Sequence, residues 1–183
     1  MTLASLKMDT FEYFKKLPGH DTLRLILSRR SILVEGPSDE LIVQKAFLQK
    51  HGKMPLEMGI EVISVNSLAF RRFLSIASTL KIEVDVVTDN DGNVEGLKNK
   101  YKEFVGVENI RIWYDSDASF PTLEPQMLKA NGLLRLCEIL DVKKATDAEL
   151  LAYMEDNKTD VALNIFDTNE SVAMPKYIED AVA

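Results

Sequence analysis

Residues 31–40 read SILVEGPSDE, and together with VDVVTDNDG at residues 84–92 this stretch decides the fold. Each begins with a short run rich in aliphatic residues, which is typical of a buried strand. Each ends in small and acidic residues that stop the strand. Helical patterns follow both stretches. A strand, a helix and a second strand in this order indicate a right-handed βαβ unit and therefore a parallel sheet.

The same alternation continues over residues 29–120. We predict strands at residues 31–34, 60–65, 84–87 and 110–114. Helices are predicted to begin after the caps Asp21 and Ser38, at about residue 67, and at Val94. A further helix is expected at residues 9–17, before a Pro-Gly break.

From Glu124 onward the pattern is helical only, so the last third of the chain differs from the rest. We predict an α/β fold: an open, mainly parallel sheet of about four strands between helices, with a helical C-terminal appendage. The expected division is a helical lead-in at residues 1–28, the α/β core at 29–120, and a C-terminal helical region at 121–183 that completes the active site.

Composition excludes several classes of protein. The chain has 183 residues, 46% of them hydrophobic and 28% charged, which argues against disorder. No apolar run is long enough to cross a membrane or to form a secretory signal. One cysteine and two histidines leave no cysteine-based zinc site and little room for a histidine-dominated one. These features predict a cytoplasmic protein, and a formal charge of −7 argues against simple coating of nucleic acid.

Carboxylates follow two of the predicted strands. Glu35 comes directly after the first strand, Asp39 lies one helical turn further on, and Asp89 and Asp91 follow the third strand. Open parallel sheets bind ligands beyond the carboxyl ends of their strands, at the point where the winding reverses. In the common doubly wound order the first and third strands are neighbours there. We therefore expect these four acids to face one another.

Such a cluster is electrostatically unfavourable without cations, because like charges at short range repel. Hard oxygen ligands suit Mg²⁺, Mn²⁺ or Ca²⁺, and two such ions can cleave a phosphodiester. Spacing alone leaves the alternative open that the acids favour a helix N-terminus and form a turn. An EF-hand is excluded, because its sixth and twelfth positions are Val94 and Lys100. No phosphate-binding P-loop occurs, so we expect no ATP hydrolysis.

ILVEGPSDE at residues 32–40, followed by VVTDNDG at 86–92, resembles the Toprim fold of primases, topoisomerases and related nucleases. A closer resemblance includes LPGHDTLRLIL at 17–27, TLEPQMLKAN at 122–131 and NKTDVAL at 157–163. With these, the chain resembles the C-terminal nuclease region of the OLD (overcoming lysogenisation defect) family endonucleases from about residue 9 to about residue 166.

The resemblance implies an activity and partners. OLD family members join an N-terminal ABC-type ATPase to this Toprim region, and they nick and cut DNA with two divalent metals. The missing P-loop would then mean that the chain is a C-terminal fragment, or that its ATPase half is a separate product. DNA and that ATPase domain are the implied partners, with no membrane, and a homodimer through the missing half stays open.

The resemblance also implies residue roles. Glu35, Asp39 and Asp89 would hold one metal ion, and Asp91 and Glu124 the second. The remaining candidates are Thr88, which would add an oxygen, and Lys158, which would stabilise charge on the phosphate. The expected ions are Mg²⁺ or Mn²⁺, with Ca²⁺ also able to bind. Without the resemblance, Lys158 reads as a solvated residue beside a helix cap.

The leading hypothesis is therefore a metal-dependent DNA endonuclease domain with weak sequence preference. Two alternatives stay open: another Toprim activity, such as a ribonuclease or a primase-like polymerase, and a catalytically silent module that binds metal or a partner. A second Asp-x-Asp, at Asp115 and Asp117, follows the fourth strand. It could supply outer ligands, but a solvated loop is the simpler interpretation.

Overall fold

The computed structural model describes Met8, residues 19–65 and residues 69–183. Its sheet has four strands: β1 (Arg30–Val34), β2 (Ile60–Ser64), β3 (Glu83–Val87) and β4 (Ile110–Trp113). Their spatial order is β2-β1-β3-β4, and every pairing is parallel. The predicted α/β sheet is thus confirmed, and β1 and β3 are hydrogen-bonded neighbours. The helix predicted at residues 9–17 lies outside the described residues.

The described helices surround this sheet. They are α1 (His20–Leu27), α2 (Pro37–His51), α3 (Phe70–Leu80), α4 (Val94–Tyr101), α5 (Leu123–Asn131), α6 (Leu133–Ile139), α7 (Asp147–Asp156), α8 (Lys158–Asp167) and α9 (Lys176–Ala181). Short 3₁₀ turns occur at Pro55–Met58 and Lys102–Phe104. None of the helices within the described ranges has the length and apolar composition that crossing a bilayer requires.

The predicted start of α1 was wrong. The helix begins at His20 with Gly19 as its N-cap, and Asp21 lies inside the first turn instead of capping it. The Asp21 carboxylate instead accepts a hydrogen bond from the Arg24 guanidinium, one turn later, at 3.3 Å. The α3 helix begins at Phe70, and residues 66–68 of its expected start lie outside the described residues.

The predicted cap of α2 was also wrong. The helix begins at Pro37, one residue earlier than a Ser38 cap allows, and Gly36 is the N-cap. Proline suits this first position, because it lacks the N–H that would have no partner there. The Asp39 carboxylate accepts the N–H of Gly36 at 2.9 Å and so closes the helix start from within. This bond turns Asp39 back toward the end of β1.

Two apolar layers cover the two faces of the sheet. Ile32 and Val34 of β1 face a core shared with α2 and the C-terminal helices, whereas Leu33 faces a core shared with α1, α3 and α4. All three side chains are fully buried, as the alternation of a strand between two layers requires. Because the C-terminal helices share a core with β1, they are packed onto the sheet rather than folded apart from it.

A buried lysine joins α2 to α8. Lys45 of α2 is only 5% exposed, and its ammonium donates to the carbonyls of Phe166 (3.1 Å) and Thr168. These carbonyls lie at the C-terminal end of α8, where backbone acceptors lack helical partners and a cation is favourable. The contact fixes α8 along α2, and α8 begins with Lys158.

Candidate metal centre

The carboxyl ends of β1 and β3 bring the first acids together. Leu33 and Val86 are register partners, so Glu35 and the turn after β3 emerge at the same edge of the sheet. The Thr88 hydroxyl, which is buried, donates to Glu35 Oε1 at 2.5 Å. This bond holds one oxygen of the Glu35 carboxylate against the end of β3.

Asp89 lies at the centre of the negative charge. Burial raises the pKa of Asp89 to about 8, and the charges of Asp39, Glu35, Glu124 and Asp91 add to the rise. Burial likewise raises the pKa of Asp39 to about 6, with the Glu35 and Glu124 charges adding and the Gly36 N–H opposing. The structure therefore brings the four other acids within electrostatic range of Asp89.

Glu124 joins the cluster from the first turn of α5. Its side chain is only 7% exposed, and Oε1 lies 2.9 Å from the ammonium of Lys158. Among the described residues, no hydrogen-bond donor reaches its second oxygen, Oε2, although that atom is buried. A buried carboxylate oxygen without a donor is costly, and a cation would relieve that cost.

Lys158 is the cation that the described cluster contains. Burial lowers the pKa of Lys158, but the hydrogen bond to Glu124 and the charges of Glu124, Asp89 and Asp39 outweigh it and raise the pKa. The ammonium thus stays charged. Half of the Lys158 side chain is exposed to solvent.

Asp91 lies at the exposed rim of the cluster. Its φ angle is 50°, and that of the following Gly92 is 71°, so two consecutive residues adopt left-handed backbone. The Asp91 N–H donates to the carbonyl of Pro121 at 3.0 Å. The turn after β3 is thereby tied to the segment that leads into α5 and Glu124.

The donor set suits hard divalent ions, because it consists of carboxylate and hydroxyl oxygens. The repulsion among the acids and the unpaired Oε2 of Glu124 also favour a cation. In the ranges that the structure describes, however, no three Asp, Glu, His or Cys side chains are arranged to hold an ion. Binding would require the carboxylates to rotate inward and Lys158 to release Glu124.

The second Asp-x-Asp shapes a loop. The Asp115 carboxylate accepts the N–H of Asp117 at 2.8 Å, and the Asp117 carboxylate accepts the N–H of Ser119 at 3.0 Å. Lys129 donates to Asp117 at 3.1 Å. These contacts support the interpretation of Asp115 and Asp117 as loop residues rather than outer metal ligands.

The sequence analysis missed Asn90 and Gln126, each 1% exposed and each hydrogen-bonded to this loop. An amide inside an acidic motif was the signal for Asn90, but its partners lie too far along the chain to be read from spacing.

A four-stranded parallel sheet with a glutamate after its first strand and Asp-x-Asp after its third resembles the Toprim class of proteins. Within that class, the family model described as "Overcoming lysogenization defect protein-like, TOPRIM domain" matches residues 26–91, about a third of the chain. The match includes Glu35, Asp39, Asp89 and Asp91. Residues 26–91 are therefore similar to an OLD-like Toprim domain. None of the curated proteins compared with the chain matches it.

Solved structures share the fold over most of the chain. The C-terminal region of the OLD protein of Xanthomonas campestris pv. campestris is 21% identical, with a TM-score of 0.63, and the match covers 87% of this chain and 92% of that one. The C-terminal region of the Burkholderia pseudomallei OLD protein is 20% identical, with a TM-score of 0.57, and 85% and 95% are covered. The similarity includes the C-terminal helical region.

Proposed function

We propose that this chain is a metal-dependent DNA endonuclease domain that hydrolyses phosphodiester bonds with two divalent ions, Mg²⁺ or Mn²⁺. The observation that carries the proposal is the convergence of four other carboxylates and Lys158 on Asp89 at the carboxyl edge of the sheet. Structural ion pairs normally match charges, whereas five acids here face one lysine. An excess of buried negative charge is typical of a site that binds cations.

The proposed roles follow from where each acid emerges. Glu35, Asp39 and Asp89 would hold one ion, and Asp91 and Glu124 the other. Two divalent ions held there would supply an activated water and stabilise the leaving oxygen. Thr88 orients Glu35 by its hydrogen bond and presents a second oxygen to the site.

Lys158 would change partners during the reaction. Its ammonium now neutralises Glu124, at 2.9 Å. With Glu124 serving as an ion ligand, the half-exposed lysine would be available to donate to a phosphate oxygen of the substrate. There it would stabilise the negative charge that develops during cleavage.

The proposed substrate is DNA in the cytoplasm, with little sequence preference because phosphate contacts carry none. The net charge of −7 opposes tight binding by the chain alone. An ABC-type ATPase domain, supplied by the same polypeptide as in OLD proteins, would provide much of the grip and the control, and a homodimer could form through it.

The test is cleavage of supercoiled plasmid by the purified chain at low salt, with Mg²⁺, Mn²⁺, Ca²⁺ or EDTA. We expect nicked and then linear DNA with Mg²⁺ or Mn²⁺, none with EDTA, and none from Asp89→Ala. Glu95→Gln is the matched control, because it removes an exposed carboxylate outside the cluster and should keep full activity.

Other outcomes would redirect the proposal. Cleavage of RNA but not of DNA under the same ions would indicate a ribonuclease. No cleavage of either, together with metal binding that survives Asp89→Ala, would contradict the proposal and favour a silent module.

A further inference from the structure

Asn90 lies between the candidate ligands Asp89 and Asp91 in the sequence. Its side chain, however, points away from the acidic cluster. It is only 1% exposed. Its amide donates to the carbonyls of Asp115 (2.8 Å), Asp117 (3.1 Å) and Phe120 (3.3 Å). Its oxygen accepts the N–H of Gly92 at 2.8 Å. Both polar atoms of this amide are thus hydrogen-bonded inside the protein.

These carbonyls belong to the segment of residues 115–121, which we name the bridging loop. The bridging loop connects the end of β4 to α5, and Glu124 lies in the first turn of that helix. The Asp91 N–H adds a second tie through the carbonyl of Pro121, at 3.0 Å. The turn at residues 89–92 is therefore fastened to the segment that carries Glu124 by both side-chain and backbone bonds.

The far side of the bridging loop is fastened to α5. Gln126 is also 1% exposed, and its amide donates to the Phe120 carbonyl at 2.9 Å. Its oxygen accepts the hydroxyl of Tyr177 at 2.6 Å. Phe120 is thus held by Asn90 from the β3 side and by Gln126 from the α5 side. A buried polar network in which each member is bonded is rigid, and losing one member leaves the others unpaired.

The turn itself needs this support. Asp91 adopts a left-handed φ of 50° without being glycine, and such backbone persists where surrounding bonds hold it. The bond from Gly92 to the Asn90 oxygen closes the turn at that point. Asn90 therefore acts on both Asp89 and Asp91 through the turn, and on Glu124 through the bridging loop.

We propose that Asn90 is a positioning residue: its buried amide sets how far the carboxylates of Asp89 and Asp91 lie from that of Glu124. The inference rests on the proposed function, because the distance matters only where these acids share ions. Groups that orient metal ligands without touching the metal typically change affinity about 10–100-fold when mutated.

Asn90→Asp tests the inference most sharply. The substitution keeps the shape of the side chain and the acceptor for Gly92, but it removes the donors to the bridging loop. The matched control is Asn93→Asp, which makes the same chemical change three residues away. Asn93 is exposed, and its oxygen caps α4 by accepting the N–H of Gly96 at 2.9 Å, a role that aspartate performs equally well.

The measurement is Mn²⁺ affinity by calorimetry, well below the unfolding temperature of each variant. We expect Asn90→Asp to bind Mn²⁺ about 10-fold or more weakly, and Asn93→Asp to stay within about threefold of the parent. Excess Mn²⁺ should restore plasmid cleavage by Asn90→Asp. A lower unfolding temperature with unchanged Mn²⁺ affinity would overturn the inference, because a merely structural amide behaves in that way.

A second variant covers the case in which Asn90→Asp does not fold. Gln126→Met releases the Phe120 carbonyl without touching the turn at residues 89–92, and we expect it to weaken Mn²⁺ binding several-fold. Unchanged affinity would count against the inference.

Failure of the proposed function has a different signature, since the parent chain would then bind no Mn²⁺. In that case, hydrogen exchange without metal decides the structural part. Faster exchange at the amides of Asp117, Ser119 and Phe120 in Asn90→Asp supports it, and unchanged protection overturns it.

Discussion

At the scale of single residues, Asp89 and Asp39 make the stability of the metal-free protein depend on pH. Their pKa values of about 8 and about 6 lie above the value of about 3.9 for aspartate in an unfolded chain. The folded state therefore binds protons more tightly than the unfolded state does. Their favourable contribution is complete below about pH 4, and it is lost as the pH rises through about 6 and then about 8.

Removing the charge of Asp89 should increase the stability of the metal-free protein at high pH, where the buried carboxylate is ionised. In EDTA at pH 8.5, we expect Asp89→Asn to raise the free energy of unfolding by about 2 kcal/mol, which for a chain of this size is about 4–8 °C in unfolding temperature. At pH 4 the gain should largely vanish, because Asp89 is then protonated in the folded state. Thermal unfolding at the two pH values checks this, with Glu95→Gln as the exposed control. An equal gain at both pH values would show that charge is not the cause.

Substitution of Lys158 should affect metal binding and DNA cleavage differently. Lys158→Met leaves the buried Glu124 carboxylate without its cation, so we expect a loss of about 1 kcal/mol in metal-free stability. Mn²⁺ affinity should be kept or increased, because the ion no longer competes with the ammonium. Plasmid cleavage should fall about 100-fold or more, as for the loss of one stabilising donor.

The matched control is Lys98→Met, which removes another half-exposed lysine paired with a carboxylate. It should change neither Mn²⁺ affinity nor cleavage. Weaker Mn²⁺ binding in Lys158→Met would mean that the lysine supports the acids rather than the substrate.

At the scale of elements, the sequence predicts what short-range patterns control. Each strand was predicted to within a residue or so, because apolar runs such as residues 31–34 must be buried whatever surrounds them. The common doubly wound topology predicted that β1 and β3 are neighbours. It therefore also predicted that Glu35 and Asp89 lie close together. Glu124 and Lys158 came from the resemblance alone, since no local pattern links α5 or α8 to the sheet.

What the sequence did not predict depends on contacts between distant segments. The start of α2 depends on Pro37 and on the Asp39 carboxylate reaching back to Gly36. The contacts of Asn90 span 25 to 30 residues. A charged residue such as Asp85 is expected on a solvent-facing side of a strand, yet Asp85 is fully buried. Its partners lie on two other strands, so its burial could not be read from residues 83–87.

The Asp85 carboxylate ties three strands together. Arg30 of β1 donates to it at 2.7 Å, and Arg111 and Trp113 of β4 donate at 2.8 and 2.7 Å. Arg30 also donates to the carbonyl of Ala181 at 2.6 Å, which anchors the end of α9 on the same face. A buried charge with this many donors is stable only while all of them are present.

Asp85→Ala should therefore destabilise the fold strongly. We expect a loss of about 3–5 kcal/mol in the free energy of unfolding, because Arg30, Arg111 and Trp113 all lose the buried acceptor that they share. Urea unfolding measures the loss. Glu83→Ala, on the same strand but exposed and 3.8 Å from Arg111, should cost less than about 0.5 kcal/mol. Similar losses in both variants would mean that strand composition, and not the buried carboxylate, is responsible.

At the scale of the whole molecule, the negative charge is concentrated where the sheet ends. The five candidate ligands and Lys158 together carry a formal charge of −4, against −7 for the whole chain. Helices pack on both faces of the sheet and leave this edge for the turns that carry the acids. The core therefore has to hold repelling groups together, and its stability without ions is lower than its packing alone would give.

Divalent ions should reverse the pH dependence of stability. Ligands bind metal in their deprotonated form, so Mn²⁺ affinity rises with pH and its stabilisation rises with it. We expect the unfolding temperature to fall from pH 5 to pH 8.5 in EDTA, but to hold or rise over the same range in millimolar Mn²⁺. The gain should be several degrees at pH 8.5 and small at pH 5.

Asp89→Asn is the decisive control for this reversal, because it keeps the shape of the site and loses the central ligand. In that variant, the curves with EDTA and with Mn²⁺ should nearly coincide at each pH. A gain from Mn²⁺ that persists in Asp89→Asn, or that is as large at pH 5 as at pH 8.5, would locate the bound ion elsewhere on this acidic chain. The joint dependence on pH, ion and Asp89 thus connects the charge of the whole molecule to one carboxylate at the end of β3.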